Sequence, residues 1–216
     1  MAIYVLTSMF SEGFDVEISK RMKQLIKQGS TFAFVASEFE SSYEKTDRYC
    51  SCFLKMFEKA GICFNDTYVI DGRMSGADAQ KVVKMADVVW LSGGDSPKQF
   101  AYLKKYGLDQ IIKEHTGIIM GMSAGAINLA KTSICTISSG HKVQAVYDGL
   151  GCVDISVEPH FNEKNDCQEI LELSKKHKAY GLCDESMIIY NRGSIEYYGI
   201  IFEIHNKKIT RIVGKK

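Results

Sequence analysis

Residues 117–131 read GIIMGMSAGAINLAK, an apolar run that delivers the chain to Ser123, after which come Ala, Gly and Ala. Gly121 and Gly125 flank the serine two residues away on each side. This Gly-x-Ser-x-Gly spacing is the pattern of a nucleophile elbow, a strained strand-to-helix turn that lifts a hydroxyl clear of a sheet. Its neighbours must be small because the backbone folds back on itself. A helix starting at Ala124 would aim free N–H groups at the site, where they favour a developing oxyanion. Taken alone, the motif fits equally a tight turn in which Ser123 is a plain helix N-cap.

A nucleophilic serine needs a base, and the chain has five histidines. His115 falls at a helix end on the opposite edge of the sheet from Ser123. His177 sits in a Lys-rich last turn, His205 in a polar turn, and His141 in a loop after Ser-Ser-Gly. His160, in VEPHFN, follows an apolar strand, and Pro159 stiffens the segment before it. It is the best-placed base.

The elements that must position these groups alternate. Near-continuous apolar runs at 2–8, 31–37, 87–94 and 117–122 read as strands, and 63–71 contains another. Helical spacing covers 14–29, 41–61, 76–86 and, as one or two helices, 96–115. Gly29 suits a C-terminal cap, Ser41 or Ser42 an N-cap with Glu44 near a capping-box position, and Pro97 a first turn. The expected architecture is α/β, with a mostly parallel sheet covered on both faces. Ligands bind such sheets at the carboxyl ends of the strands, where Gly93-Gly94 and Ser123 both fall. Beyond Ala130 come a strand at 153–161, a helix at 165–178 and a strand-rich stretch at 180–214, with turns at Asn191-Arg192-Gly193 and at 205–208.

Composition narrows the function classes. With 216 residues, one domain spanning 1–216 is expected. A net charge of +1 gives no electrostatic case for a nucleic-acid or membrane partner. No apolar stretch approaches the ~18 residues of a membrane span. The first eight residues lack a basic flank and read as a strand instead of a signal peptide. Seven cysteines, an odd number scattered through apolar segments, fit reduced thiols in a cytoplasmic protein.

LSGGDS, GMSAGAINLA and, 37 residues after its serine, PHFN together resemble the serine peptidase family of peptidase E (aspartyl dipeptidase) and cyanophycinase. The resemblance runs from the first strand to about Met187. It implies the three-layer α/β sandwich of class I glutamine amidotransferase-like (flavodoxin-like) proteins. It further implies Ser123 as nucleophile, His160 as general base, and the backbone N–H groups of Gly94 and Ala124 as oxyanion hole, with Gly93, Asp95 and Glu158 near the substrate. In the family an acid follows the nucleophile by some 15 positions; here Ser138 stands in that stretch. A second family position aligns with GLCDES, leaving Asp184 or Glu185 to orient the imidazole.

The implied activity is a cofactor-independent exopeptidase or dipeptidase acting on short peptides as a monomer or homodimer. Peptidase E prefers an amino-terminal aspartate, which calls for a cation in the pocket. Here the stretch after His160 offers only Lys164, with Arg192 and Lys131 more remote, so strict aspartyl specificity does not follow. The alternative is a binding protein that keeps this fold without turnover. Glutamine amidotransferase chemistry needs a cysteine where this chain has Ser123.

Overall fold

The computed structural model describes residues 2–165 and 167–212; of the predicted segments, Asp166 and residues 213–214 lie outside the described residues. Five parallel strands form the centre: β1 (Ile3–Thr7), β2 (Ser30–Val35), β3 (Phe64–Ile70), β4 (Val88–Leu91) and β5 (Ile118–Met122). Their order is β3-β2-β4-β5-β1. An antiparallel hairpin, β10 (Met187–Asn191) and β11 (Ser194–Tyr198), extends the sheet beyond β1.

Strand side chains alternate between two apolar layers, as period-two geometry requires. Val5, Phe32, Phe34, Val88, Trp90 and Met120 face helices α1 (Val16–Leu25) and α2 (Tyr43–Lys59). Leu6, Ala33, Val35, Val89, Leu91 and Ile119 face the other side. That side is covered by α3 (Gly76–Met85), α4 (Ser96–Lys105), α5 (Leu108–Glu114) and α6 (Ala124–Leu129). Burial on both faces explains why β1, β2, β4 and β5 read as apolar runs, whereas β3, at the sheet edge, leaves Asn65, Asp66 and Thr67 exposed.

A hairpin of β6 (Thr132–Cys135) and β7 (Ala145–Asp148) follows α6. A second sheet then has the order β13-β12-β9-β8, from β8 (Ser156–Pro159), β9 (Ala179–Leu182), β12 (Ile201–His205) and β13 (Lys208–Ile212). Helix α7 (Gln168–Leu173) packs Ile170 with Phe161, Phe202 and Ile204 against it.

Several predicted boundaries move. Helix α1 ends at Leu25, because Ile26 turns extended into the core at 4% exposure while its N–H still bonds to Met22 O. Gly29 is therefore no helix cap; it serves the turn into β2, with φ of 74°. Ser42 starts α2 from the left-handed region and gives no side-chain cap, so no capping box forms. The 96–115 segment is two helices, broken where Gly107 adopts φ of 64°. Among the described residues, no helix is long and apolar enough to cross a membrane.

Candidate active site

Strand β5 runs straight into the elbow. Ser123 has φ of 49° and ψ of −107°, a conformation that L residues rarely adopt. Its N–H bonds to Thr7 O at 2.9 Å, and its carbonyl accepts from Ile127 N at 3.0 Å, so both sides of the turn are fixed. The flanking glycines let α6 lie against the sheet. A Cβ on Gly121 would stand 2.5 Å from Gly125 C, and one on Gly125 would stand 2.2 Å from Leu91 O. Both are shorter than any real contact, so the motif's small residues are a packing demand.

Strand register brings the polar groups together. In the second sheet, β8 pairs in parallel with β9, Pro159 opposite Leu182. His160 and Asp184 therefore leave neighbouring strand ends. The imidazole Nδ1 lies 2.8 Å from Asp184 Oδ1, and Nε2 lies 3.0 Å from Ser123 Oγ. A carboxylate only accepts, so Nδ1 carries the proton and Nε2 is left to accept from the serine hydroxyl. Burial pushes the Asp184 carboxyl up, but hydrogen bonds from Ser8, His160 and the Met9 N–H outweigh it and hold the group below its ordinary value. Asp184 thus stays anionic beside the imidazole at neutral pH.

Ser8 was not anticipated. It follows β1, which pairs in parallel with β5 so that Thr7 stands opposite Met122; Ser8 therefore ends up beside Ser123. Its hydroxyl donates to Asp184 Oδ1 at 2.6 Å and accepts from the His160 N–H at 2.9 Å. One buried hydroxyl thus pins both partners. Ser8→Ala is expected to lower kcat/KM for a peptide substrate by on the order of 10-fold, as loss of a hydrogen bond to a charged group would. Ser8→Thr should recover part of it, and steady-state kinetics on both variants check this.

The other candidates are placed elsewhere. Glu185 has φ of 62° and turns away from His160. Its Oε1 accepts from the Ser11 N–H at 2.7 Å and the Ser11 hydroxyl at 2.8 Å, so it fastens the loop after β1. Asp95 does not line the cleft beside Ser123; it caps α4 by accepting from Lys98 N at 2.9 Å. Glu158 does not line the cleft either, because the turn at 136–139 covers it, and it is 2% exposed. His115 is buried on the opposite edge, its Nε2 2.9 Å from Ala86 O. Arg192 sits in the β10–β11 turn, and Lys131 is exposed beyond α6. Lys164 lines a separate hollow of about 380 Å³ with Asn162 and Arg211, on the Asp184 side of His160.

Burial raises the Glu158 carboxyl to about 7, and nearby Glu169 adds to this; hydrogen bonds from Thr136, Ser138 and Ser139 oppose it. The ordinary value, 4.5, applies once the chain unfolds. The folded state therefore holds this proton more tightly. The stability it contributes is full below about pH 4.5 and is lost as pH rises through about 7. Glu158→Gln should become more stable relative to the parent as pH rises from 5 to 8, by about 3 kcal/mol at most. Thermal melts across that range test it; a constant gap would refute it.

A cleft of about 730 Å³ opens at the site. Ser92, Gly93, Gly94, Ser123 and His160 form one end of it. Gly94 has φ of 147°, and a Cβ there would stand 2.2 Å from Ser37 Oγ, so only glycine fits. Ala124 is the first residue of α6, and its N–H has no intrahelical partner. Gly93 approaches closely enough that a Cβ on it would lie 3.4 Å from Ser123 Cβ.

The architecture is the three-layer α/β sandwich of class I glutamine amidotransferase-like proteins, and similarities in sequence and structure agree with it. The family model described as Peptidase family S51 matches residues 5–198. The chain belongs to that peptidase family. An uncharacterized peptidase of Listeria monocytogenes is 26% identical over 174 residues, which is 74% of this chain and 82% of the relative. A crystal structure of a peptidase from an acI-B1 Actinobacterium superposes with a TM-score of 0.75 at 18% identity, covering 100% of this chain and 96% of that one. A Listeria monocytogenes EGD-e protein described as a peptidase E superposes with a TM-score of 0.66 at 19% identity, covering 92% of this chain and 98% of that one.

Proposed function

We propose that the protein is a serine exopeptidase, acting on dipeptides and other short peptides. The observation that carries this reading is the unbroken line from Ser123 Oγ through His160 to Asp184, with contacts of 3.0 and 2.8 Å, at the mouth of the cleft. In the first half-reaction the Ser123 oxygen attacks the peptide carbonyl, and His160 Nε2 takes the hydroxyl proton. The N–H groups of Gly94 and Ala124 receive the oxyanion, a placement that typically contributes ~3 kcal/mol. Collapse of the tetrahedral species breaks the C–N bond, and the imidazolium returns its proton to the leaving amine. Water then attacks the acyl-serine, giving its proton to His160, and the Ser123 oxygen departs with that proton. Asp184 keeps the imidazole in the required tautomer and stabilises its cation.

The cleft, about 730 Å³, lies in the range that holds a small ligand, which agrees with a short peptide as substrate. The reading is tested by treating the protein with a fluorophosphonate probe and a dipeptide panel. Wild type should label once, at Ser123, and hydrolyse at least one dipeptide. A protein that does neither, while folded, would not be a serine peptidase.

A further inference from the structure

The cleft does not end at the polar groups; it extends over the α2 face of the sheet as an apolar chamber. Thr46, Tyr49, Phe53 and Met56 recur at spacings of three and four along α2 and form one wall. Met9 and Phe10, from the loop after β1, also line the chamber. Phe34 and Met122, at the ends of β2 and β5, form the floor. Met122 directly precedes Ser123, so the chamber begins one residue from the hydroxyl.

The distribution of charge says what this chamber accepts. Among the described residues, four charged ones touch the cleft: Glu12, Glu38, Lys45 and Lys59. Glu12, Lys45 and Lys59 are exposed at its rim. Glu38 is already paired with Lys98 and accepts from the Tyr102 hydroxyl at 3.0 Å. The Lys45 ammonium lies 5.5 Å above the Tyr49 ring. The floor and inner walls, by contrast, are buried apolar side chains: Phe10, Phe34, Phe53, Met56 and Met122 are each at most 7% exposed. Met9 and Tyr49, also in the lining, are the more open of its large apolar side chains, at 38% and 46% exposure.

We infer that this chamber is a specificity subsite for a large apolar side chain, of the leucine, methionine or phenylalanine class, on a residue flanking the scissile bond. An aspartate side chain there would lose its hydration without meeting a buried cation, whereas leucine of nearly the same shape would be transferred favourably. The inference rests on the acyl-transfer reading of Ser123 and deepens it by assigning the substrate class.

The test compares kcat/KM within two isosteric pairs, Leu-Ala against Asp-Ala and Ala-Leu against Ala-Asp, with fluorophosphonate labelling run in parallel. At one of the two positions leucine should exceed aspartate by roughly 100-fold or more, since a single methylene in an apolar pocket is already worth about 10-fold. Phe53→Ala should shrink that ratio by on the order of 10-fold. Tyr49→Asp, at the exposed rim where unfolding is not at issue, should shrink it in the same direction. Aspartate equal to or better than leucine at both positions, with labelling and turnover intact, overturns the subsite and leaves the serine-peptidase reading standing. Labelling without turnover of any pair also overturns the subsite. Absence of both labelling and turnover removes the two together.

Discussion

Ser123→Ala is expected to lower kcat/KM for the best dipeptide by about 10⁴-fold or more, and to abolish fluorophosphonate labelling, while the protein stays folded. Removing the proposed nucleophile takes away the covalent route, so only oxyanion stabilisation and binding remain; in serine peptidases that difference reaches about 10⁶ in kcat. The hydroxyl's structural contribution is small, because the backbone hydrogen bonds from Ser123 N to Thr7 O and from Ile127 N to Ser123 O do not involve it. The conformation at Ser123 adds a second readout. With φ of 49° and ψ of −107°, any residue with a Cβ is strained there. Ser123→Gly should be equally inactive, yet more stable than Ser123→Ala by on the order of 1 kcal/mol, because glycine adopts this conformation without steric cost. Denaturant melts of the two variants, set beside their kinetics, would separate the hydroxyl from the bend that carries it. Near-parental turnover in Ser123→Ala would exclude this serine as nucleophile.

The parts of the molecule legible in the sequence are those set by local pattern. Strands β1, β2, β4 and β5 were legible because apolar residues on both faces leave near-continuous apolar runs, with α1 to α5 at helical spacing; β3, an edge strand with Asn65, Asp66 and Thr67 exposed, was legible through its Tyr-Val-Ile end. The elbow was legible because close packing of α6 on β4 and β5 demands Gly121 and Gly125. His160 was reached by position, as the histidine just past a strand end. What was not legible depends on which strands become neighbours. Ser8 lies beside Ser123 only because β1 pairs with β5. Glu158 stands only two residues before His160, yet the chain turns at His160, with φ of 57°, and the 136–139 turn seals Glu158 away. Residues 132–148 show a turn signal at Ser138-Ser139-Gly140, but the strands on either side are short and their hairpin is set by packing against β8 and α6. The apolar chamber combines a stripe of α2 with a loop some 40 residues earlier, and neither reads as a pocket wall alone. The choice between Asp184 and Glu185 depends on a backbone reversal at Glu185 and on Ser11, which captures its carboxylate.

That choice is where two adjacent acids should part most sharply. Asp184→Asn is expected to lower kcat by about 10⁴-fold near neutral pH, the size of loss seen when an orienting carboxylate becomes an amide. An amide nitrogen facing His160 Nδ1 would donate where the carboxylate accepts, favouring the tautomer with its proton on Nε2. In that form the imidazole cannot take the Ser123 proton. The imidazolium formed during attack would also lose its counter-charge. Ser8 and the Met9 N–H donate to the same Oδ1 and would lose that acceptor with nitrogen there, so they draw the amide oxygen to that position and temper the tautomer effect, leaving the lost counter-charge as the constant part. Glu185→Gln changes charge by the same amount one residue away, but it touches only the loop after β1, through Ser11 and Glu12. It should keep kcat within about 10-fold and lose on the order of 1 kcal/mol of stability as charge-assisted hydrogen bonds become neutral ones. Kinetics and melts of the two variants in one buffer decide the matter: equal losses of kcat, or the larger loss at Glu185, would move the orienting role off Asp184.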